Sequence, residues 1–495
     1  MSKILFKNFT TTNKFNTDNA ISIINGNIER IGLTSDFSDF YQTVIDLKGH
    51  TLLPGFIDTH THFLHSSLSA SNINLYDCKN AVEVNEKLKD SIGKSALIRA
   101  YAYDDSDWIN PLKKSDLDHM HNSTPIVIFR LDMHGALVNS EALKMLKIPQ
   151  ELNSCEVKEG IFNNKYFLWL SNEIAQQTED TARLTALKDI SQTAFSKGIT
   201  TVHALEGGFG WGMKDIDFLL SKQNIQTPNI VIYPQTVNLA WIKSRGLKRA
   251  GGCLLLDGTI GNHTAALFER YSDKDTNGEL YFSDKALFSF VERAHLADMQ
   301  LSFHAIGDRA VNQIVNIYEK VLKKHPKKEH RHRIEHCELV KEEDIERIAK
   351  LNIYLSVQPT FEYLFGGEGS IYEKRLGKER VKRTNIFKKY LQKHISIAGG
   401  SDFDVTPLDP LLGIHSAVNN SNEALTISQA IDLFTKNAGY FSFEESKIGS
   451  LTPGKRADFA VLSKNPIEVN PVKLKDIKIL KTFMAGSQVF PSIRE

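Results

Sequence analysis

Residues 53–62 read Leu53-Pro54-Gly55-Phe56-Ile57-Asp58-Thr59-His60-Thr61-His62, a short apolar strand ending in two histidines one residue apart. Side chains alternate faces along a strand, so His60 and His62 point the same way and are close enough to grip one metal ion. Imidazole is the commonest protein ligand for zinc-type metals. Two histidines at a strand end also fit a wet rim without chemistry. Only further ligands elsewhere in the chain separate the two.

Beyond this strand the chain alternates. Gly198-Ile199-Thr200-Thr201-Val202-His203, Asn229-Ile230-Val231-Ile232-Tyr233, Cys253-Leu254-Leu255-Leu256-Asp257 and Gln300-Leu301-Ser302-Phe303-His304 are strand-like. So are Arg333-Ile334-Glu335-His336, Ile353-Tyr354-Leu355-Ser356-Val357 and Ile395-Ser396-Ile397-Ala398. Most precede a helical pattern, as at Arg309 to Lys323 and Lys341 to Lys350. Apolar strands alternating with helices predict a parallel sheet covered by helices. With the opening strand they make eight, the number that closes a (β/α)8 TIM barrel. The fold class is therefore α/β, with the barrel over 53–446. The first connection is far longer than a crossover needs, so most of residues 66–190 is predicted to be an inserted subdomain. It carries strand-like Ala96 to Tyr101 and Ile126 to Leu131, and helical Glu83 to Lys89 and Arg183 to Ser196.

The two ends of the chain read differently. Ala20-Ile21-Ser22-Ile23-Ile24 and Ile28-Glu29-Arg30-Ile31 flank Asn25-Gly26-Asn27, a hairpin signal. Ala457 to Leu462, Ile479 to Met484 and Gln488 to Phe490 are again strands. Isolated hairpins are marginal and need partners, so residues 1–52 and 447–495 are expected to form one small composite β-sandwich domain.

The bulk numbers set bounds on partners. Of 495 residues, 60 are basic and 59 acidic, which gives no electrostatic case for a nucleic-acid or membrane-surface partner. No segment approaches the ~20 apolar residues of a membrane span, and the start lacks the apolar run of a signal peptide. Cys78, Cys155, Cys253 and Cys337 are widely spaced, without a CxxC pair. A reducing cytoplasm is the expected compartment and a small molecule the expected partner. A homo-oligomer stays open.

Barrels of this kind build their sites at the C-terminal ends of the strands. His60 and His62 end strand one, His304 ends strand five, His336 ends strand six, and Asp402 follows strand eight in Gly399-Gly400-Ser401-Asp402. Any one of these has a bland alternative as a packed or surface residue, but five metal-type side chains converging on one rim predict a metal site.

The run Leu53 to His62, with His304, His336 and Asp402, resembles the amidohydrolase superfamily of metal-dependent hydrolases. The closer likeness is to its N-substituted formamide deformylase-like branch, amidohydrolase family 3. That likeness is carried by Asp257-Gly258-Thr259-Ile260-Gly261-Asn262-His263-Thr264-Ala265-Ala266-Leu267, His304-Ala305-Ile306-Gly307-Asp308-Arg309-Ala310 and Arg333-Ile334-Glu335-His336. Gly449 to Asp458 resembles the superfamily's return to its β domain. The likeness implies one or two divalent ions of zinc type, with His60, His62, His304, His336 and Asp402 as ligands. The family often bridges two metals with a carboxylated lysine on strand four. Four residues before Asp257 this chain has Cys253. A thiolate ligates zinc well, and a buried cysteine is equally ordinary; both readings stay open.

The implied chemistry is hydrolysis of a C–N bond, amide or formamide, in a small molecule. A bound divalent ion lowers the pKa of its water to about 7 and polarises a carbonyl. Asp402 would move the proton as general base and then acid, with His336 beside it. A deaminase or a lactone or ester hydrolase could use the same site, and a non-catalytic metal-binding barrel is the alternative of another class. Further candidates for contact with substrate are His134, Trp108, Asp257, His263 and Arg309, each with a packing or ion-pair alternative. His203 and Glu206 also lie at the rim, and Asp308 is expected to cap the helix after His304.

Overall fold

The stretch around His60 forms the strand β1, Phe56–Thr61, every residue of which is buried. The computed structural model describes residues 3–492 apart from 13, 39, 71, 93–96, 106–107, 131–134, 153, 208–211, 222–224 and 421–422. The chain divides into two compact units. One comprises Met1–Phe63, Lys188–Leu205 and Ile225–Glu495, the other Leu64–Leu187 and Glu206–Asn224.

After β1 the later strands follow as β2 (Ile199–Glu206), which lies in the first unit up to Leu205, then β3 (Asn229–Pro234), β4 (Arg249–Ala250) and β5 (Gln300–Ala305). They continue as β6 (Arg333–His336), β7 (Tyr354–Val357) and β8 (Ile397–Gly399). One sheet runs β3-β2-β1 and another β4-β5-β6-β7-β8. β1 pairs with β2, and β4 through β8 pair in succession, all in parallel. Just beyond β1 and β8, Thr61 bridges Phe403 in parallel fashion. Strands β1, β5, β6, β7 and β8 are buried throughout, the mark of strands covered on both faces. The helix Asp308–Lys324 shows how the cover is made. Ala310, Val311, Ile314, Ile317, Tyr318 and Val321 form its buried stripe, and Lys323 and Lys324 complement the dipole in its last turn.

The fourth strand differs from the prediction. Cys253 to Asp257 is not a strand; β4 is the pair Arg249–Ala250, and Leu255 makes only an isolated bridge to His304. Gly251 and Gly252 cause the break, with φ of +88° and +58°. A Cβ on Gly251 would lie 2.2 Å from the Ser302 carbonyl oxygen, so only glycine lets the chain turn this close to β5. The turn carries Cys253 past the strand end.

The two chain ends do meet in one sheet of eight strands, which includes Lys3–Thr11, Lys14–Ile24 and Asn27–Leu33 from one end. Phe459–Leu462, Ile479–Met484 and Ser487–Phe490 come from the other. Phe459–Leu462 pairs with Thr51–Pro54, so the sheet leads directly into β1. Phe6 packs edge-on against Phe459 and Phe483, with centroids 5.3 and 4.8 Å apart. The hairpin turn at Asn25 and Gly26 has positive φ at both positions, 51° and 81°, as the sequence implied.

The second unit is built on a five-stranded sheet that includes Ile98–Tyr103, Ile126–Arg130 and Gly135–Val138. Asn139 caps the helix Ser140–Leu146, and buried Arg183 donates to Asp215 at 2.7 Å. No described helix is long and apolar enough to cross a membrane.

Near the starts of β5 and β6 lies a histidine cluster that works only when neutral. His332 Nδ1 accepts from Leu301 N, and its Nε2–H faces His295 Nδ1 at 2.8 Å. His330 Nδ1 accepts from His332 N at 2.9 Å, while its Nε2–H donates to the Leu351 carbonyl at 2.9 Å. Burial pushes the His330 imidazole down to about 4, although the Leu351 carbonyl opposes it. A base whose folded pKa lies below its unfolded value costs stability as pH falls between the two. His330 alone is expected to remove roughly 3 kcal/mol between pH 6.5 and pH 4. Urea midpoints at pH 7.5, 5.5 and 4.5 check this, with His330→Gln expected to flatten the dependence.

Candidate metal centre

His60 stands at the end of β1 because neighbouring elements fasten this strand to the segment after β8. The Asp58 carboxylate accepts from His60 N at 3.0 Å and from Ser401 N at 3.1 Å. Asp402 N donates to His60 O at 2.7 Å. A Cβ on Gly400 would fall 2.5 Å from His60 N, so glycine is required for this approach. Asp402 itself has φ of +54°, and His336 and Cys337 have +70° and +53°. Side-chain-bearing residues rarely adopt that region, and strain of this kind concentrates at functional sites.

Six of the residues singled out in the sequence converge here. Ligand atoms of His60, His62 and Cys253 lie within 4.8 Å of one another, as do those of Cys253, His304 and His336, and those of His60, His336 and Asp402. Asp402 Oδ1 is 3.2 Å from His60 Nε2 and 3.3 Å from His62 Nε2. Cys253 Sγ is 3.9 Å from His336 Nε2. Cys253 belongs to the groups of both histidine pairs, which is where a bridging ligand would stand.

The other ring nitrogens are engaged in ways that fix the imidazoles. His60 Nδ1 meets Glu335 Oε2 at 2.7 Å, and His62 Nδ1 donates to the Leu205 carbonyl at 2.8 Å. His304 Nε2 faces the Gly258 carbonyl at 3.2 Å and Asp257 Oδ1 at 3.5 Å, leaving Nδ1 for the centre. His336 is stacked on Phe361, centroids 5.8 Å apart. His60 Nε2 and His336 Nδ1 are buried without a hydrogen-bond partner. Buried polar atoms are seldom left so, and the orphaned His60 Nε2 beside the Asp402 carboxylate fits a metal ion.

The electrostatics agree. Burial pushes the Cys253 thiol up, but the His60 charge and hydrogen bonds from His304 and His336 outweigh it and hold the thiol well below its ordinary range. Asp402 is likewise held well below the carboxylate range against its burial, chiefly by His60. Burial pushes His62 and His304 down, yet Asp402 and Cys253 lift His62 to about 10, and Cys253 with Asp257 lifts His304 to about 9. A thiolate and a carboxylate thus draw positive charge into a dry site, the same pull that would hold a divalent cation.

The remaining candidates fare differently. Asp257 is fully buried and spends its carboxylate on the backbone N–H groups of Ala266, Ile306 and Gly307, which leaves it a clamp on the loop rather than a pocket wall. Asp308 is not the helix cap. Gly307 holds that position, and Asp308 Oδ1 instead accepts from Phe268 N at 3.0 Å. His263 Nε2 is 2.9 Å from Asp273 Oδ1, and Arg309 Nη2 donates to the Gly278 carbonyl at 3.2 Å, so both hold the loop that follows β4. Trp108 belongs to the second unit, its ring 5.5 Å from that of Tyr103. Glu206 Oε1 accepts from Leu64 N within that unit. His134 lies outside the described residues. His203 is buried on β2 with Nδ1 3.0 Å from Arg333 Nη1.

Sequence reasoning missed Asp58, Arg333 and Glu335. A signal for the last two was present. Arg333 and Glu335 are two apart on a strand and therefore share a face, and opposite charges on a buried strand must pair.

With this geometry in hand, the comparisons are specific. The amidohydrolase family model matches residues 43–490. YtcJ of Bacillus subtilis (strain 168), which carries an amidohydrolase name, is 29% identical, with 90% of each chain covered. The N-substituted formamide deformylase of Arthrobacter pascens is 22% identical over 90% of this chain and 89% of that protein. An uncharacterized metal-dependent hydrolase from Pyrococcus horikoshii OT3 has a solved structure with TM-score 0.80 and 25% identity, covering 95% of this chain and 99% of that one.

Proposed function

The chain belongs to the amidohydrolase family, and from that premise we propose a zinc-dependent hydrolase that cleaves the C–N bond of an amide or formamide in a small molecule. The observation that carries the reading is the convergence of His60, His62, Cys253, His304, His336 and Asp402 in three overlapping buried groups. Imidazole, thiolate and carboxylate together suit zinc better than magnesium or calcium, which prefer oxygen ligands. The name of the Arthrobacter pascens relative supports N-substituted formamides as the first class to try. The eight strands of the two sheets, with parallel pairing of β1 with β2 and from β4 through β8 and the Thr61–Phe403 bridge between the ends of the series, support a closed (β/α)8 barrel whose site stands at the strand C-termini.

His60, His62 and Asp402 would hold one ion and His304 and His336 a second, with Cys253 between them. When bound, such ions supply an activated water at neutral pH and polarise the scissile carbonyl. Asp402 takes the proton of the attacking water and returns it to the leaving nitrogen, which must be protonated to depart. Asp58 and Gly400 keep the Asp402 segment against β1, so its carboxylate stays beside both His60 and His62. The compartment proposed is the cytoplasm.

A panel of N-formyl, N-acyl and cyclic amides, with esters, lactones and amino-heterocycles alongside, tests the reading on zinc-loaded protein. Turnover confined to amides is expected. Turnover confined to esters or lactones, or deamination alone, would overturn the C–N amide assignment.

A further inference from the structure

The β1 metal ligand is held by a buried ion pair that the chemistry above does not use. Glu335 and Arg333 lie on β6 and are fully buried. Glu335 Oε2 meets His60 Nδ1 at 2.7 Å and accepts from Arg333 Nη2 at 2.8 Å. Its Oε1 accepts from Arg333 Nε and from the Ser302 hydroxyl on β5. Arg333 Nη2 also donates to the Thr59 carbonyl on β1 at 2.6 Å, and Nη1 donates to His203 Nδ1 on β2 at 3.0 Å. The guanidinium lies 4.3 Å from the centroid of the Tyr233 ring on β3. One ion pair thus touches side chains or backbone of β1, β2, β3 and β5 while reaching a single metal-type imidazole.

That arrangement decides which nitrogen of His60 carries the proton. A metal-ligating imidazole is neutral, and a carboxylate only accepts hydrogen bonds, so in the metal-binding form the nitrogen held by the clamped Glu335 is Nδ1–H and Nε2 keeps its lone pair. Nε2 is the atom that faces Asp402 and the rest of the cluster. The other three imidazoles lack a carboxylate clamped in this way. His62 relies on a backbone carbonyl, His304 on a carbonyl with Asp257 beyond it, and His336 on ring stacking.

We propose that Glu335, clamped by Arg333 and Ser302, is a positioning residue that fixes His60 as the Nδ1–H tautomer and so sets the affinity of the β1 metal position. The inference rests on the metal reading above. It makes the Arg333-Ile334-Glu335-His336 run bifunctional: His336 is a direct ligand of one position, while Glu335 orders the ligand of the other. An uncharged amide at 335 can donate as well as accept, so it permits the opposite tautomer, in which Nε2–H cannot bind a metal.

The test measures zinc affinity by competition with a chromophoric chelator, together with imidazole 15N spectra of histidine-labelled protein. Wild-type, E335Q and the paired variant R333M/E335Q are compared. The pair is included because E335Q strands a buried guanidinium, whereas the double variant removes both charges. Loss of an orienting carboxylate is expected to weaken zinc binding by about 10–100-fold and to add signal from the Nε2–H tautomer of one histidine. A purely structural role predicts a lower melting temperature with zinc affinity per folded chain and the 15N spectrum unchanged in whichever variant folds, and that result overturns the proposal. Absence of zinc binding by the wild-type would instead overturn the metal reading, so the two failures are distinguishable.

Discussion

Exchanging Asp402 for asparagine is expected to lower the rate on an accepted amide by about 10²–10⁴-fold, the range for loss of a positioned general base. Asparagine keeps the shape of the side chain, and the backbone bond from residue 402 to His60 O is indifferent to the change. What is lost is the anionic oxygen 3.2 Å from His60 and 3.3 Å from His62. Metal content is measured on the same samples, because Asp402 stands in one of the ligand groups. A rate loss with zinc retained assigns the proton transfer to Asp402. Turnover at the wild-type rate would remove Asp402 from the mechanism.

Replacing Cys253 by alanine separates the two readings that the sequence left open. If the thiolate bridges, C253A is expected to weaken one of two ions by more than the 10–100-fold typical of groups that merely orient a ligand. The chain would then hold close to one zinc under conditions where the wild-type holds two, and hydrolysis would fall with the lost ion. If Cys253 is a buried apolar residue, the change leaves a small cavity costing on the order of 1 kcal/mol, and the metal count does not move. The geometry favours the first outcome. Cys253 shares a ligand group with each histidine pair, and its thiol is held well below its usual range despite complete burial. Equilibrium dialysis followed by metal analysis decides between them.

Much of this site was legible because its parts obey simple local rules. His60 and His62 share a strand face, and His304 and His336 end apolar runs, so spacing alone placed four imidazoles at strand ends. The meeting of the two termini was legible for a similar reason, since short hairpins cannot stand alone. Cys253 was harder. An apolar run, Cys253 to Leu256, looked like a strand, yet Gly251 and Gly252 end the strand before it begins. Tertiary crowding against Ser302 enforces that turn, and crowding is not written in periodicity. Asp257 and Asp308 were misjudged on the same ground. Which backbone N–H groups a carboxylate will meet depends on how the long loop after β4 folds back, and residues 40 or more apart in sequence make most of those contacts. The Arg333–Glu335 pair was visible as a charge pattern, but its target, His60, lies 275 residues away. Local spacing finds ligands; it does not find what holds them.

Hydrolysis is expected to depend on a metal centre formed by these six side chains. The most direct measurement is a titration of chelator-stripped protein with zinc, reading bound metal and amide turnover together. No turnover is expected without metal, with recovery as zinc binds and saturation near two ions per chain. Stripped protein that still hydrolyses amides at the full rate, or that takes up no zinc, would contradict it.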